Sequence, residues 1–313
     1  MDSRVRFVAP PNEAVLSVLK FPFSEVTQMK AEEISRVVKE RYSKVAQTSG
    51  AGEDSYCCPS VAPAGAGFAA QHGLYTPEDL ASAPEVSVKL SRGCGNPVSF
   101  ADLRAGEVVV DLGCGAGLDV IFAARRIAPG GKVVGVDFAQ PMIERATQAV
   151  AEAGLTDLVQ FVVDDLAESY LPDDFADAVI SNCVINLCAD KEAVYREAFR
   201  ILKPGGRLAI SDVDYSEKPA HEVKSRFEAI WAGCVGGAME EQAYFDLILQ
   251  AGFEEIRVVS RHSLGPTELE EMASCPSPEF TPRPEKEDLV AVQGTVTSIK
   301  FTSAKPFPRQ RSS

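Results

Sequence analysis

The sequence predicts an α/β protein built on a doubly wound, mainly parallel, Rossmann-like sheet. Between about residues 107 and 213, apolar runs such as EVVVDLG, KVVGVD and RLAISDV alternate with helical segments such as LDVIFAARRIA. Alternation of this kind is typical of βαβ units, in which helices cover both faces of a parallel sheet. A glycine-rich turn directly after the first strand is the second indication, because ligands of such sheets lie at the carboxyl ends of the strands.

The segments on either side of this sheet have a different composition. Residues 29–46, MKAEEISRVVKERYSKVA, place apolar side chains at helical spacing and predict an amphipathic helix. Residues 47–70 are rich in small residues, as in a mobile segment, and contain Cys57 and Cys58. After residue 215 an acidic helical stretch, a strand-like EIRVVSRHSL and a late strand or hairpin in LVAVQGTVTSIKFTSAKP follow.

These changes in pattern divide the chain into four segments. We expect an N-terminal extension at 1–28 and an N-terminal helix with a mobile, cysteine-bearing segment at 29–85. The ligand-binding sheet domain occupies 86–215, and a smaller C-terminal α+β domain with a flexible tail occupies 216–313.

Composition excludes several classes of protein. The chain has 31 basic against 45 acidic residues, a formal net charge of −14, and no long basic run, so nucleic acid and anionic lipid are poor partners. No apolar stretch approaches the roughly 20 residues of a membrane helix. Acidic residues and sparse Arg and Ser at 1–28 argue against a transit segment. We therefore expect a soluble, cytoplasmic protein, and a monomer.

The glycine-rich turn VVVDLGCGAGLDV predicts a ligand site. Asp111 ends the first strand, and Gly113, Gly115 and Gly117 allow a ligand to approach the backbone before the next helix begins. A dinucleotide fingerprint requires glycine at the sixth position from Gly113. The chain has Leu118 there, which counts against NAD.

Acidic residues at the next two strand ends extend this site. Asp137 ends GKVVGVD, where a carboxylate can accept hydrogen bonds from both ribose hydroxyls of an adenosine. Asp165 ends VQFVVDD, although the alternative for it or for Asp164 is a helix N-cap or a solvated turn. Together with the later element KPGGRLAISD, these motifs resemble the class I S-adenosylmethionine methyltransferases over about residues 104–213.

That resemblance implies S-adenosylmethionine as the methyl donor and assigns roles to individual residues. The residue at 137 would bind ribose, and the residue at 165 would meet the adenine amine. The backbone around 113–117 would hold the methionine moiety, and Met142 would pack against adenine unless it serves only as core. The predicted cofactor-binding set is Asp111, Gly113, Gly115, Gly117, Asp137, Met142, Asp165, Leu166 and Asn182.

The cysteines indicate which kind of atom accepts the methyl group. Eight are present, none in a CxxC pair, so a zinc ribbon is not indicated. Cys183, in SNCVINLC, follows the apolar strand FADAVI and would lie at a strand end beside the cofactor. Oxygen or nitrogen acceptors usually require a base, but the three histidines, His72, His221 and His262, lie elsewhere in the sequence. Thiolates instead select soft centres, of which trivalent arsenic is one.

At this point the sequence resembles a narrower family, the arsenite S-adenosylmethionine methyltransferases. YTPEDLASAP, SRGCGNP, SNCVINLCADKEAVYREAFRILKPGGRLAISDV and WAGCVGGA carry the likeness, which covers about residues 29–305. The resemblance implies that Cys94, Cys183 and Cys234 bind trivalent arsenic, and that Cys57 or Cys58 pairs with the cysteine of GCG. The remaining cysteines, Cys114, Cys188 and Cys275, are interpreted as packing residues.

The resemblance implies stepwise methylation of arsenite, with glutathione or thioredoxin as the thiol reductant. Two alternatives stay open: a methyltransferase acting on another small molecule, and a non-enzymatic protein that sequesters arsenic or zinc. One departure is that relatives often carry an aromatic residue before GCG, whereas this chain has Arg92.

Overall fold

A computed structural model of the protein describes residues 31–48, 72–216, 234–273 and 286–308. Its strands belong to one sheet, in the order β3-β2-β1-β4-β5-β8-β7, and β6 pairs with β5. The strands are β1 (Val108–Leu112), β2 (Lys132–Asp137), β3 (Val159–Val163), β4 (Ala176–Asn182), β5 (Leu202–Tyr215), β6 (Met239–Glu240), β7 (Glu254–Ser263) and β8 (Val296–Ala304).

The sheet is mainly parallel, as the sequence predicts. Strands β1 to β5 pair in parallel, and β6 adds a short parallel bridge to β5. Strand β8 is antiparallel to both β5 and β7. Strands from the predicted C-terminal segment thus extend the central sheet itself. The division of the chain into four segments stays a prediction.

Helices cover both faces of this sheet. They are α1 (Ala31–Thr48), α2 (Pro77–Ser82), α3 (Glu85–Leu90), α4 (Leu118–Ile127), α5 (Gln140–Glu152), α6 (Lys191–Ile201), α7 (Glu241–Gln250), α8 (Pro266–Ala273) and α9 (Lys286–Val292). The crossovers β1–α4–β2 and β2–α5–β3 are the βαβ units predicted from the alternating pattern.

Alternate side chains of the central strands enter two different cores. Val109 and Ile180 belong to the apolar cluster that includes α4 and part of α5. Val110 and Val179, each one residue away, belong to the cluster that includes α6 and α7. Because both faces of β1 and β4 are covered, these strands read as continuous apolar runs in the sequence rather than as alternating ones.

Helix α1 lies over the carboxyl end of the sheet. Its apolar face, with Val45 and Ala46 buried, packs with residues of α5 such as Met142, and the Arg145 side chain donates to the Ala46 carbonyl at 2.9 Å. The predicted amphipathic helix is therefore confirmed over the described residues. The predictions for residues 1–28, for Cys57 and Cys58, and for Cys275 fall outside the described ranges.

Within the described ranges, no helix combines the length and apolar character that crossing a membrane requires.

Arg207 ties β5 to the loop before β1. Its guanidinium makes a bidentate pair with Glu107 at 2.9 and 2.5 Å and donates to the Asp102 carbonyl at 2.6 Å and to the Ala101 carbonyl. Both charged side chains are mostly buried, so each depends on the other for its hydrogen bonds.

We expect Arg207→Met to lower the free energy of unfolding by about 2 kcal/mol, because a part-buried carboxylate and two carbonyls lose a charged donor. Urea denaturation measures this. The matched control is Arg257→Met, whose ion pair with Glu255 is exposed (75% and 64%). It should change stability by less than about 0.5 kcal/mol, and an equal loss in both variants would contradict the assigned role of Arg207.

Candidate active site

The site lies where the strand order of the sheet reverses. From the central strand β1 the chain proceeds to β2 on one side, and β4 pairs with β1 on the other. The loops leaving β1 and β4 therefore diverge, and ligands of doubly wound sheets bind in the crevice between such loops. Here the two loops carry the glycine turn and Cys183.

The three glycines of the turn adopt backbone conformations that other residues avoid. Gly113, Gly115 and Gly117 have φ angles of 81°, 49° and 82°. A side chain at Gly113 would collide with Val184, whereas a Cβ at Gly115 would meet nothing within 4 Å. The turn therefore packs closely against the β4 loop and leaves open space beside Gly115 for a ligand.

Asp137 supports this turn from the end of β2. Its carboxylate accepts hydrogen bonds from the backbone N–H groups of Gly115 and Ala139, each at 2.9 Å. Burial raises the pKa of Asp137 above its usual range, and these backbone donors oppose the shift. A carboxylate has about four acceptor positions, so these backbone donors leave room for a ligand hydroxyl.

Two more buried carboxylates lie in the same wall. Burial raises the pKa of Asp111 well above its ordinary value, and the neighbouring charges of Asp119 and Asp137 add to the shift. Burial also raises the pKa of Asp119 to about 6, against hydrogen bonds from Asn182 and Tyr75. Sequence reasoning missed Asp119. Its position in the first turn of the helix after the glycines could have indicated that it lies near the ligand.

These groups enclose one cavity at the switch point. Its lining includes Tyr42, Ser87, Arg92, Asp111, Gly113, Gly115, Asp119, Asp137, Met142, Asn182, Cys183 and Val184. Carboxylates outnumber the single guanidinium, so the cavity favours a cationic ligand. S-adenosylmethionine fits this chemistry, because it carries a sulfonium and an ammonium group together with a ribose that Asp137 can bind.

The remaining predicted cofactor residues lie in different surroundings. Met142 is buried in the cavity wall, where it also packs with α1. Asp165 is exposed, and its carboxylate accepts from the Ala167 N–H at 2.9 Å, which is the turn alternative of the sequence analysis. Leu166 is buried in the core beneath β1 and β2. The described structure does not bring Asp165 and Leu166 into the cavity wall.

Three of the predicted thiols meet beside this cavity. Cys94, Cys183 and Cys234 are all buried and belong to one cluster. The sulfur atoms of Cys183 and Cys234 lie 3.0 Å apart, and the Cys234 thiol also donates to the Cys183 carbonyl at 3.0 Å. The sulfur of Cys94 lies within 4.8 Å of that of Cys183. Residues separated by 140 positions in sequence thus form one sulfur-lined site.

Cys183 occupies a strained position immediately after β4. Its φ angle is 59°, which is uncommon for a residue with a side chain, and its N–H donates to the Ser211 carbonyl at 2.7 Å. Hydrogen bonds with the Cys234 and Cys94 thiols, and then burial, raise the pKa of Cys183 well above its ordinary value. This shift favours the protonated form of the Cys183 thiol.

Glycine is required on either side of Cys94 because neighbouring side chains lie too close for a Cβ atom. A Cβ on Gly93 would lie 2.2 Å from the Asn182 side chain, and one on Gly95 would lie 2.0 Å from the Ser211 hydroxyl. The Cys94 carbonyl accepts from Ser298 of β8 at 2.8 Å. The GCG sequence thus lets the chain lie directly against the ends of β4 and β5.

The other described cysteines and histidines lie apart from this cluster. Cys114 packs in the apolar core at the glycine turn, and burial raises the pKa of Cys188, which packs beneath α6, to about 12. His262 is exposed and contacts Glu268 at 3.0 Å. His72 lies 3.7 Å from the same carboxylate. These positions agree with the packing and structural roles expected for them.

Sequence reasoning missed Asp212, which lies behind the thiols. Its carboxylate is within 4.8 Å of the Cys94 and Cys183 sulfurs and accepts from the Tyr244 hydroxyl at 3.0 Å. Burial raises the pKa of Asp212 to about 6. The sequence ISDVDY offers two acidic residues in a strand, and nothing local indicates which of them faces the site.

The fold and this site define the class of protein. Residues 103–254 match the family described as a methyltransferase domain. Together with the doubly wound sheet and the acidic cavity at its switch point, this match places the chain in the class I S-adenosylmethionine-dependent methyltransferases.

Within that class the chain is similar to arsenite methyltransferases. It is 35% identical to the one from Halobacterium salinarum and 33% identical to the one from Aquipseudomonas alcaligenes, over 74% of this chain in both cases. It spans 60% and 65% of the lengths of these relatives. A solved arsenic(III) S-adenosylmethionine methyltransferase from Chlamydomonas reinhardtii superposes with a TM-score of 0.60 at 29% identity, over 74% of each chain. The predicted resemblance is confirmed.

We expect Asp137→Ala to weaken S-adenosylmethionine binding by more than about 1 kcal/mol, because the ribose loses a charged acceptor and the glycine turn loses its support. Calorimetry measures the dissociation constant. Asp157→Ala, an exposed acidic residue beyond α5, is the control. Equal affinities of the Asp137 variant and the parent protein would reject the assigned role.

We expect Gly95→Ala to lower the free energy of unfolding by about 1–3 kcal/mol, the range for overpacked sites. The reason is that its Cβ would overlap the Ser211 side chain and displace Cys94. Urea denaturation measures the loss, and Gly265→Ala is the control, since its Cβ would approach the end of Glu268 at 3.4 Å. Unchanged stability of the Gly95 variant would show that the GCG turn needs no such close packing.

Proposed function

We propose that this protein transfers methyl groups from S-adenosylmethionine to thiolate-bound trivalent arsenic, giving mono- and further methylated arsenicals. One observation carries the proposal: Cys183 lines the cofactor cavity and, on its other side, lies 3.0 Å from the sulfur of Cys234. A metalloid held by these thiols is next to the cavity that would hold the methyl donor.

The thiol cluster fits trivalent arsenic in number and chemistry. Arsenous acid exchanges three hydroxyl groups for three cysteine sulfurs and releases three molecules of water, so the thiol protons leave with the hydroxyls. Soft sulfur ligands favour a soft centre of this kind. Burial of Cys94, Cys183 and Cys234 excludes water from the bound arsenic.

The transfer itself needs no protein base. S-adenosylmethionine supplies, when bound, an electrophilic methyl group on a sulfonium. The arsenic lone pair forms the new arsenic–carbon bond, while the electrons of the sulfur–methyl bond stay with the departing sulfur. The protein contributes by holding the two reactants side by side, which supplies most of the acceleration.

The acidic wall of the cavity supports turnover. Methyl transfer converts the cationic sulfonium into a neutral thioether, so the product loses part of its attraction to Asp111, Asp119 and Asp137. The carboxylates therefore favour the substrate over the product.

Methyl transfer formally oxidises arsenic, so repeated rounds require a reductant. Glutathione or the thioredoxin system fits this need, with the glutathione thiol also able to exchange with bound arsenicals. Cys57 or Cys58 would then form a transient disulfide with Cys94 during turnover. We further propose that the protein works as a cytoplasmic monomer without nucleic-acid or membrane partners.

Two rival functions make different predictions. A methyltransferase for another small molecule would form S-adenosylhomocysteine without needing the thiols. A sequestering protein for arsenic or zinc would bind the ion without consuming the cofactor. The cofactor cavity beside the thiols favours arsenic methylation over both.

We expect Cys183→Ser and Cys234→Ser each to abolish arsenite methylation while leaving S-adenosylmethionine binding intact, because a hydroxyl cannot replace a thiolate ligand. Mass spectrometry of products formed from arsenite, cofactor and glutathione measures the activity. Cys188→Ser, in the same loop but outside the cluster, is the control and should stay active. Methylated arsenic from either of the first two variants would refute the three-thiol site.

A further inference from the structure

We propose that Asn182 is a positioning residue that couples occupancy of the cofactor cavity to the placement of Cys94. This inference rests on the proposed function, because it concerns the same cavity and the same thiols. It assigns Asn182 a task different from the direct cofactor contact predicted from the sequence.

The polar atoms of the Asn182 amide already make hydrogen bonds within the protein. Its amide nitrogen donates to the Gly95 carbonyl at 2.8 Å and to the Asp119 carboxylate at 2.9 Å, with a longer contact of 3.3 Å to the Tyr75 hydroxyl. Its oxygen accepts from the Gly95 N–H at 3.2 Å. An Asn side chain offers two N–H donors, so little capacity remains for a ligand.

Both backbone hydrogen-bonding groups of Gly95 contact one side chain. Asn182 thus clamps the residue directly after Cys94 at its N–H and at its carbonyl. The absence of a side chain at Gly93 lets the same amide lie against the turn from below. The position of the Cys94 backbone therefore follows the position of Asn182.

The other end of this hydrogen-bond network lies in the wall of the cofactor cavity. Asp119 lines the cavity in the first turn of α4, immediately beyond the glycine turn. Its carboxylate accepts from Tyr75 at 2.7 Å and from Asn182 at 2.9 Å, so it is fixed from two sides. A cationic ligand that fixes Asp119 also fixes Asn182, and through it Gly95 and Cys94.

Because Asn182 directly precedes Cys183, one short segment connects the cofactor cavity, the GCG turn and the thiol cluster. The side chain of Asn182 sets Cys94, and its own backbone carries Cys183. Coupling between two sites is reciprocal, so the cofactor should tighten arsenic binding by the same factor as arsenic tightens cofactor binding. Double perturbation is the direct test of such coupling.

The experiment measures that factor. Calorimetry gives the arsenite dissociation constant of the full chain with and without saturating S-adenosylhomocysteine. In the parent protein the cofactor product should tighten arsenite binding by at least about fivefold, the lower end of typical coupling. In Asn182→Ala this ratio should fall toward one, since the link between Asp119 and Gly95 is absent.

Alkylation of Cys94 by iodoacetamide, followed by peptide mass spectrometry, provides a readout that needs no arsenic. S-adenosylhomocysteine should slow this alkylation in the parent protein and leave it unchanged in Asn182→Ala. If the parent protein binds no arsenite, the proposed function fails, and the alkylation result still decides the role of Asn182.

Asn96→Ala is the matched control, because that amide lies next to Gly95 and its oxygen accepts from the Ser99 N–H at 3.1 Å, at the start of the following turn. It should keep the full coupling.

Tyr75→Phe is a milder second variant, which removes one donor to Asp119 and keeps the ring contact with Phe122, so it should reduce the ratio partly. Full coupling in Asn182→Ala, or no effect of the cofactor product on Cys94 in the parent protein, would overturn the proposal.

Discussion

The close approach of three chain segments at the end of β4 is the constraint on which the site depends. The glycine turn after β1, the GCG turn and the loop after β4 meet there with almost no intervening side-chain volume. Gly113 leaves room for Val184, Gly93 for Asn182 and Gly95 for Ser211. A side chain at any of these glycines would clash and push the segments apart. The cofactor cavity and the sulfur atoms therefore lie side by side because these three positions have no side chain.

Burial determines the electrostatics on both sides of this contact. The cavity wall brings three carboxylates together away from water, and this burial raises the pKa values of Asp111, Asp119 and Asp137. A bound cation or a hydrogen-bond donor would stabilise the ionised form of each carboxylate. On the thiol side, hydrogen bonds with neighbouring thiols and then burial raise the pKa of Cys183, and the buried carboxylate of Asp212 lies within 4.8 Å of the Cys94 and Cys183 sulfurs. Under the proposed function, the carboxylates of the cavity would attract the cationic methyl donor, and the sulfur atoms on the other side of the loop would bind the metalloid.

Local patterns explain why part of the site could be predicted. Positive φ at 113, 115 and 117 and an acid at a strand end are short-range requirements, and they leave a signature in a few consecutive residues. The thiols were predicted by resemblance, since nothing in local periodicity brings Cys234 to Cys183. Asp119, Asp212 and the clamping role of Asn182 escaped prediction, because their significance depends on partners such as Tyr75, Tyr244 and Gly95 that are distant in sequence.

The sequence by itself predicted the parallel sheet, the glycine turn and the acid at 137, because strand period and turn conformation are written in contiguous residues, and its resemblance to a known family predicted the three cysteines. Only the tertiary structure decided that β7 and β8 complete the same sheet, that Asp165 lies in an exposed turn, and that Asn182 joins the cavity to the GCG turn. The physical reason for the sheet and for the Asn182 contacts is that they depend on hydrogen bonds between segments distant in sequence, such as Gly95 and Asn182, 87 residues apart, whose meeting is set by strand order and not by any local propensity.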